Sequence, residues 1–329
     1  MKTADQPLVS VVTPVYNGEK YLSECIESVL AQTHQNWEYL IVNNCSTDRT
    51  REIAEGYAQQ DLRIRIHHNE ELVSAIENHH LAFGLLSPES KYCKVLHADD
   101  WLFSECLVQM VGVAEAYPSV GIVGAYRLDG VRVNLDGLPY PSTFVSGREV
   151  CRARFLGGPY VFGSPSSLLI RAEIIRARKT FYDEAHFARH ADAAACYEIL
   201  QEWDFGFVHQ VLTYTRRHNE AATAHARKMN SYIAGSLLIL KKYGPIYLSH
   251  IEYSHCLKRR LQSYYRFLAK STFQWHDQQF WRFHRTVLQS VGCSLTSVEF
   301  LKALLWELIN VLLNPGMALR KIKRRFGAS

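Results

Sequence analysis

Two adjacent carboxylates, Asp99 and Asp100, follow directly on a mostly apolar run in the stretch KYCKVLHADDW, residues 91–101. Adjacent carboxylates repel, so the pair calls for a positive partner. Acids at the end of a strand, near helix N-termini, suit a divalent cation that carries phosphate. Magnesium takes only one or two protein carboxylates and leaves its other positions to water and substrate phosphates. The cation then neutralises charge on a departing diphosphate. The plain alternative is a loop that caps the helix expected from about residue 104. The pair alone leaves both readings open.

The elements that must position these acids alternate regularly. Residues 10–15 (SVVTPV) read as a short buried strand, closed by Pro14 and Asn17-Gly18. A helix follows over about 19–32, then a strand over 37–42 and a polar loop, NNCSTD, in which Ser46 or Thr47 can cap the next helix. A strand at 63–67, a helix at 73–86, a strand at 92–96, a helix at 104–116 and a strand at 120–125 continue the order. Such alternation predicts a mainly parallel sheet covered on both faces. In these sheets ligands bind beyond the carboxyl ends of the strands. The loops 13–17, 43–48 and 97–100 should therefore converge on one crevice. From Ser146 the texture changes. Ser146 to Glu149 is a capping-box pattern, a strand is expected at 167–170, a helix near 192–201 and a strand near 207–215. From His225 the pattern is helical, rich in Tyr, Trp, Phe and Arg.

The chain has 329 residues, 47% hydrophobic and 21% charged, which fits one large α/β domain plus an extension. The formal charge of +5 is modest, so a nucleic-acid partner is not expected; the basic residues crowd into residues 320–325, RKIKRR. None of the eight cysteines has C-x-x-C spacing, and they read as reduced core residues of a cytosolic protein. The opening MKTADQPLVS holds no long apolar segment, so a secretory signal is not expected. No run of 18 apolar residues predicts a membrane span. Residues 298–313 (VEFLKALLWELINVLL) are apolar around most of a helix, are broken by Asn314-Pro315-Gly316 and precede the basic cluster. This suits binding in the plane of a membrane interface or, equally, packing on the protein with a solvated tail.

The order strand–TPVYNG–helix, strand–NNCSTD–helix, apolar strand–HADDW resembles the family 2 glycosyltransferases of GT-A fold. The resemblance is dense over 8–126 and thinner to about residue 222. It implies an α/β, GT-A Rossmann-like sheet flanked by helices, a domain over 1–222 (nucleotide half 8–126, acceptor half 127–222) and a helical C-terminal region over 223–329. It also implies an inverting, metal-dependent transferase using a UDP- or dTDP-sugar and Mn²⁺ or Mg²⁺. The acceptor would be a glycan, glycolipid or lipid-linked oligosaccharide of surface polysaccharide synthesis in the cell envelope, met in the cytoplasm or peripherally at the inner face of the cell membrane. Thr13, Pro14 and Tyr16 would line the nucleotide pocket. Asn44 stands where the family usually has an Asp that accepts from the base; its amide can accept and also donate. Asn78 matches a position near the donor. Asp99 and Asp100 replace the family's D-x-D element, with Asp100 the first choice as metal ligand, Asp99 shared between metal and sugar or ribose, and His97 where the first Asp often stands. Asp192 matches the catalytic base. His218 would reach the metal or diphosphate, and Arg216 or Arg217 the phosphate. The Q-x-x-R-W signature of processive synthases is absent, which argues for adding one sugar. Two alternatives stand beside this. One is a sugar-nucleotide-binding scaffold without activity, suggested by Asn43, Asn44 and His97. The other, a nucleotidyltransferase, fits poorly because TPVYNGEK has one glycine and a late lysine.

Overall fold

The computed structural model describes residues 6–187, 190–217, 229–274 and 276–314. The chain forms two compact units, Met1–Asn219 and Glu220–Ser329.

The first unit is built on a ten-stranded sheet. Its strands are β1 (Val9–Val15), β2 (Trp37–Asn43), β3 (Ile64–His68), β4 (Tyr92–Val95), β5 (Trp101–Leu102), β6 (Val120–Asp129), β7 (Arg132–Asn134), β8 (Phe144–Val145), β9 (Leu169–Arg171) and β10 (Asp204–Thr215). The order is β3-β2-β1-β4-β9-β6-β10-β5, with β7 on β6 and β8 on β10. β1, β2, β3 and β4 run parallel. Parallel pairing needs crossover helices, here α1 (Leu22–Leu30), α2 (Thr50–Ala58) and α3 (Ala75–Gly84). Helices on both faces explain the continuous apolar strands: Val9, Val11, Val12 and Ile41 are fully buried. Beyond β4 the sheet is mixed. β9 lies antiparallel between β4 and β6, whereas β10 is parallel to β6. The carboxyl ends of β1, β2, β4, β6 and β10 and the turn preceding β9 therefore share one edge. The remaining helices are α4 (Cys106–Ala116), α5 (Gly147–Phe155), α6 (Ala172–Arg176), α7 (Glu184–Phe187) and α8 (Ala191–Ile199).

Local chemistry sets several boundaries. Ser146 caps α5 by accepting from the Glu149 amide. Neither Ser46 nor Thr47 caps α2, whose N-cap is Arg49 without a side-chain bond; the preceding Asp48 carboxylate accepts from the Thr50 amide at 3.0 Å. Ser46 and Thr47 are engaged elsewhere. Ser46 Oγ accepts from the Asn17 amide, and the Thr47 amide donates to Asn17 Oδ1. Asn17 has φ 52°, a left-handed conformation that Asn tolerates.

The second unit contains α9 (Ser231–Tyr247), α10 (His250–Ser271), α11 (Gln278–Ser290) and α12 (Val298–Leu313). A reciprocal Ser249–Glu252 capping box opens α10, and Asp277 and Ser297 cap α11 and α12. Leu237, Tyr264, Leu268, Phe280 and Leu288 form its core. None of the eight cysteines forms a disulfide. Among the described residues no helix is long and apolar enough to cross a membrane.

His284 is fully buried in this core between the Tyr264 hydroxyl (2.6 Å) and the Met229 carbonyl (3.0 Å). Burial pushes its imidazole down from 6.5 to about 4. The unfolded chain thus binds the proton more readily. The stabilisation is complete above about pH 6.5 and is lost as pH falls towards 4, on the order of 3 kcal/mol. Melting curves from pH 7 to 4.5 should show this slope, and His284→Gln should be less stable at pH 7 but shallower in its pH dependence. Equal slopes would mean that His284 does not titrate in this way.

Candidate active site

The acid pair sits in a tight turn after β4, where the Asp100 amide donates to the His97 carbonyl at 3.0 Å. Asp100 is only 3% exposed. Its Oδ1 accepts from the Arg216 amide at 3.1 Å, and Arg216 Nε donates to the Asp99 carbonyl at 3.2 Å. The same guanidinium pairs with Glu24 and lies 4.2 Å from the Tyr21 ring centre. Beside it Trp101 stacks on Tyr214, ring centres 3.7 Å apart and planes 10° apart. The end of β10 therefore clamps the turn. On the other side, the turn preceding β9 receives it: the His97 amide donates to Ser166 Oγ at 3.1 Å. The Ser166 carbonyl accepts from Lys94 Nζ at 2.8 Å. Lys94 is fully buried, and burial depresses its ammonium.

One ligand atom each from His97, Asp99 and Asp100 falls within 4.8 Å of the others. His97 Nδ1 stands 4.0 Å from Asp100 Oδ2. Burial pushes the Asp100 carboxyl above the usual carboxylate range and the negative charge of Asp99 adds to this, while His97, Ser166 and the Arg216 amide pull the other way. A nearly buried carboxylate beside a second acid would be eased by an added positive charge. Two carboxylates form a hard oxygen pair that fits Mn²⁺ or Mg²⁺, and the imidazole beside them is a borderline donor.

Asp192 lies in the first turn of α8 and lines a small cavity with Ser164, Pro165, Tyr182 and Cys196. Burial pushes its carboxyl up; the Ala193 amide and the imidazoles of His190 and His97 act against that shift. His97 thus lies within electrostatic reach of both Asp100 and Asp192. A carboxylate made more basic in a cavity suits proton abstraction.

The nucleotide-side residues divide into open and closed positions. Tyr16 is 51% exposed at the edge of the sheet, and Pro14 is half-buried. Thr13 is fully buried, and its hydroxyl donates to the Leu96 carbonyl at 2.7 Å and bonds the Tyr39 hydroxyl at 2.8 Å. It fastens β1 to the start of the acid turn. Asn44 is buried; its Nδ2 donates to the Val73 carbonyl and its Oδ1 accepts from the Val73 amide. Asn69 Nδ2 donates to both Asn44 Oδ1 and Asn78 Oδ1, and Asn78 donates to the Val42 carbonyl. The Asn69 Oδ1 of this cluster is buried without a partner among the described residues.

His218 lies outside the described residues. Arg217 grips Asp129 through two bonds of 2.5 and 2.7 Å, so both arginines already face acids of this chain. Sequence reasoning placed His97 where the family's first Asp often stands and missed Lys94 and Ser166. The signal for Lys94 was present: it is a lysine inside an otherwise apolar strand.

The chain matches Glycosyl transferase family 2 over residues 10–178, half of its length, and it belongs to that family. Its sheet, with a crevice edge built from β1, β2 and β4, is the GT-A type of fold. GlyG of Streptococcus pneumoniae serotype 4, a glycosyltransferase, is 31% identical over 192 residues, 55% of this chain and 60% of GlyG. The putative teichuronic acid biosynthesis glycosyltransferase TuaG of Bacillus subtilis is 41% identical over 95 residues, 29% of this chain and 37% of TuaG. The chain thus spans less than two thirds of these two relatives. The putative glycosyltransferase EpsE of B. subtilis is 25% identical over 269 residues, 78% of this chain and 90% of EpsE. Among solved structures, S. aureus TarS 1-349 in complex with UDP-GlcNAc has a TM-score of 0.63 at 16% identity, covering 87% of this chain and 80% of that one. The mannosyltransferase PcManGT of Pyrobaculum calidifontis, in complex with GDP-Man and Mn2+, has a TM-score of 0.55 at 13% identity, covering 97% and 84%.

Proposed function

We propose that the protein is an inverting glycosyltransferase that moves one sugar from a UDP- or dTDP-sugar, with a divalent cation, to a glycan or lipid-linked acceptor of surface polysaccharide synthesis. The observation that carries this is the gathering of His97, Asp99 and Asp100 at the sheet edge, with Asp192 in electrostatic reach of His97. The nucleotide-sugar bound to TarS and the teichuronic acid naming of TuaG support the donor and acceptor classes.

Asp100 and Asp99 would hold the cation, with His97 completing the set. When bound, the cation neutralises the diphosphate as the sugar leaves. Asp192 takes the proton from the acceptor hydroxyl as its oxygen attacks the anomeric carbon; its raised basicity places it closer to neutral pH than an ordinary carboxylate. Arg216 holds Asp100 in the turn through its backbone amide. Tyr16 is open to pack against the base.

The direct test is a melting screen of nucleotide-sugars with and without Mn²⁺, followed by donor hydrolysis. A donor at a hundred times its dissociation constant adds about 2.7 kcal/mol of apparent stability. UDP- or dTDP-sugars should stabilise the protein more with Mn²⁺ and be hydrolysed slowly. Binding without hydrolysis or transfer would favour a scaffold.

The Lys94–Ser166 bond makes a further expectation specific. Lys94→Met leaves the Ser166 carbonyl without its donor and loosens the support of His97. Loss of such outer support typically costs about 10–100-fold in metal affinity. Mn²⁺ titration by electron paramagnetic resonance should show that loss in folded protein, with nucleotide affinity in the absence of metal unchanged. Unaltered Mn²⁺ affinity would reduce Lys94 to a packing residue.

A further inference from the structure

The helix α12 is packed the wrong way round for a helix in water. Its inward stripe is Phe300, Ala303, Leu304, Glu307, Asn310 and Val311, at the spacing of one helical face. Phe300 is 7% exposed and Glu307 only 4%. The outward side carries Leu301, Leu305, Trp306, Ile309, Leu312 and Leu313, exposed by 41% (Ile309) to 75% (Leu313), with Trp306 at 71%. A charged side chain, Glu307, is turned inward while six large apolar residues face out. Lys302 is the one exposed charge between Leu301 and Leu313, and a largely apolar outward face of this kind on a 16-residue helix marks a contact surface.

The charge of the chain says what meets it. Five of the 37 basic residues and none of the 32 acidic ones follow Asn314, so the formal +5 of the whole chain resides in the segment just after this helix. That segment lies beyond the described residues and enters only through its charge. A second copy of the chain would bring the same five cations to the same face. An anionic lipid surface offers acyl chains to the leucines and headgroups to the cations. An exposed Trp is at home at that boundary. The helix is about 24 Å long at 1.5 Å per residue and does not reach the length and apolarity of a span.

We infer that the outward face of α12 lies in the plane of an anionic membrane interface. This does not depend on the chemistry assigned to the sheet edge, since binding is read without donor. The experiment is co-sedimentation of the full chain with phosphatidylcholine vesicles, with and without phosphatidylglycerol. The wild type should pellet with the anionic vesicles and weakly with the neutral ones. Binding should weaken in about 1 M salt, where the screening length falls to about 3 Å. The double variant Leu305→Gln, Trp306→Gln should bind anionic vesicles at least about tenfold more weakly. Because both side chains are exposed, circular dichroism and melting should be unchanged. Equal binding by wild type and variant would overturn the inference. So would a wild type that stays in the supernatant, including one that sediments as a dimer dispersed by the same variant, which would assign the face to a second copy.

Discussion

Asp100→Asn should lower sugar transfer by about 10²–10³-fold, the loss typical of removing one preorganised electrostatic contact to developing charge. The substitution is nearly isosteric. Asn can still accept from the Arg216 amide through its side-chain oxygen, so the clamp between the acid turn and the end of β10 survives. The protein should melt at the same temperature or higher, because the wild type pays for a nearly buried carboxylate next to Asp99 and the variant does not. The checks are a transfer assay across Mn²⁺ concentration and a melting curve without metal. In that assay excess Mn²⁺ should not restore the rate. Near-normal transfer at saturating metal would remove Asp100 from the cation site.

Asp192→Asn should lower turnover by about 10²–10⁴-fold, the usual contribution of a positioned base. Donor affinity should stay where it is, since the role proposed for Asp192 is on the acceptor hydroxyl. The sign of the pH dependence follows from the raised carboxyl. The base works when deprotonated, so turnover in the wild type should climb with pH through a point above the ordinary Asp range and then level. The variant should lack that acidic limb. A pH profile of turnover, set beside donor titration by calorimetry, separates this from a structural effect. Collapse of donor affinity in a folded variant would move Asp192 into the donor site and overturn its role as base.

Sequence and structure agree best where one physical rule dominates. The strands β1, β2 and β4 were legible because burial on both faces favours mostly apolar runs, such as the fully buried Val11, Val12 and Ile41. The loops at their ends were legible because parallel topology brings them to one edge. The longer helices of the first unit were found with ends that differed by a few residues, α1 beginning at Leu22 rather than near residue 19 and α3 at Ala75 rather than 73, whereas the short α6 and α7 were not expected. Ends depend on capping partners that come from distant loops, as the exchange between Asn17 and Thr47 shows.

The site was less legible. Asp99, Asp100 and Asp192 stand out as acids at element ends. Ser166 carries no such mark, because its role comes from the antiparallel strand β9 entering between β4 and β6, which places it on the His97 amide. Asn44 reads as a base acceptor by position, yet its amide pairs with both backbone groups of Val73, which only the folded path of residues 69–73 reveals.

The two loops that follow β1 and β2 are laced together. The Asn17 amide reaches Ser46, the Gly18 amide Thr50, the Glu19 amide Asp48, and the amides of Thr47 and Arg49 return to Asn17 and Glu19. A rim held by reciprocal bonds from both sides would be shaped before the proposed nucleotide arrives, so little chain entropy would be lost on docking. Different nucleotides should then meet the same ready-made rim at similar speeds. Their selection becomes a matter of how long each one stays.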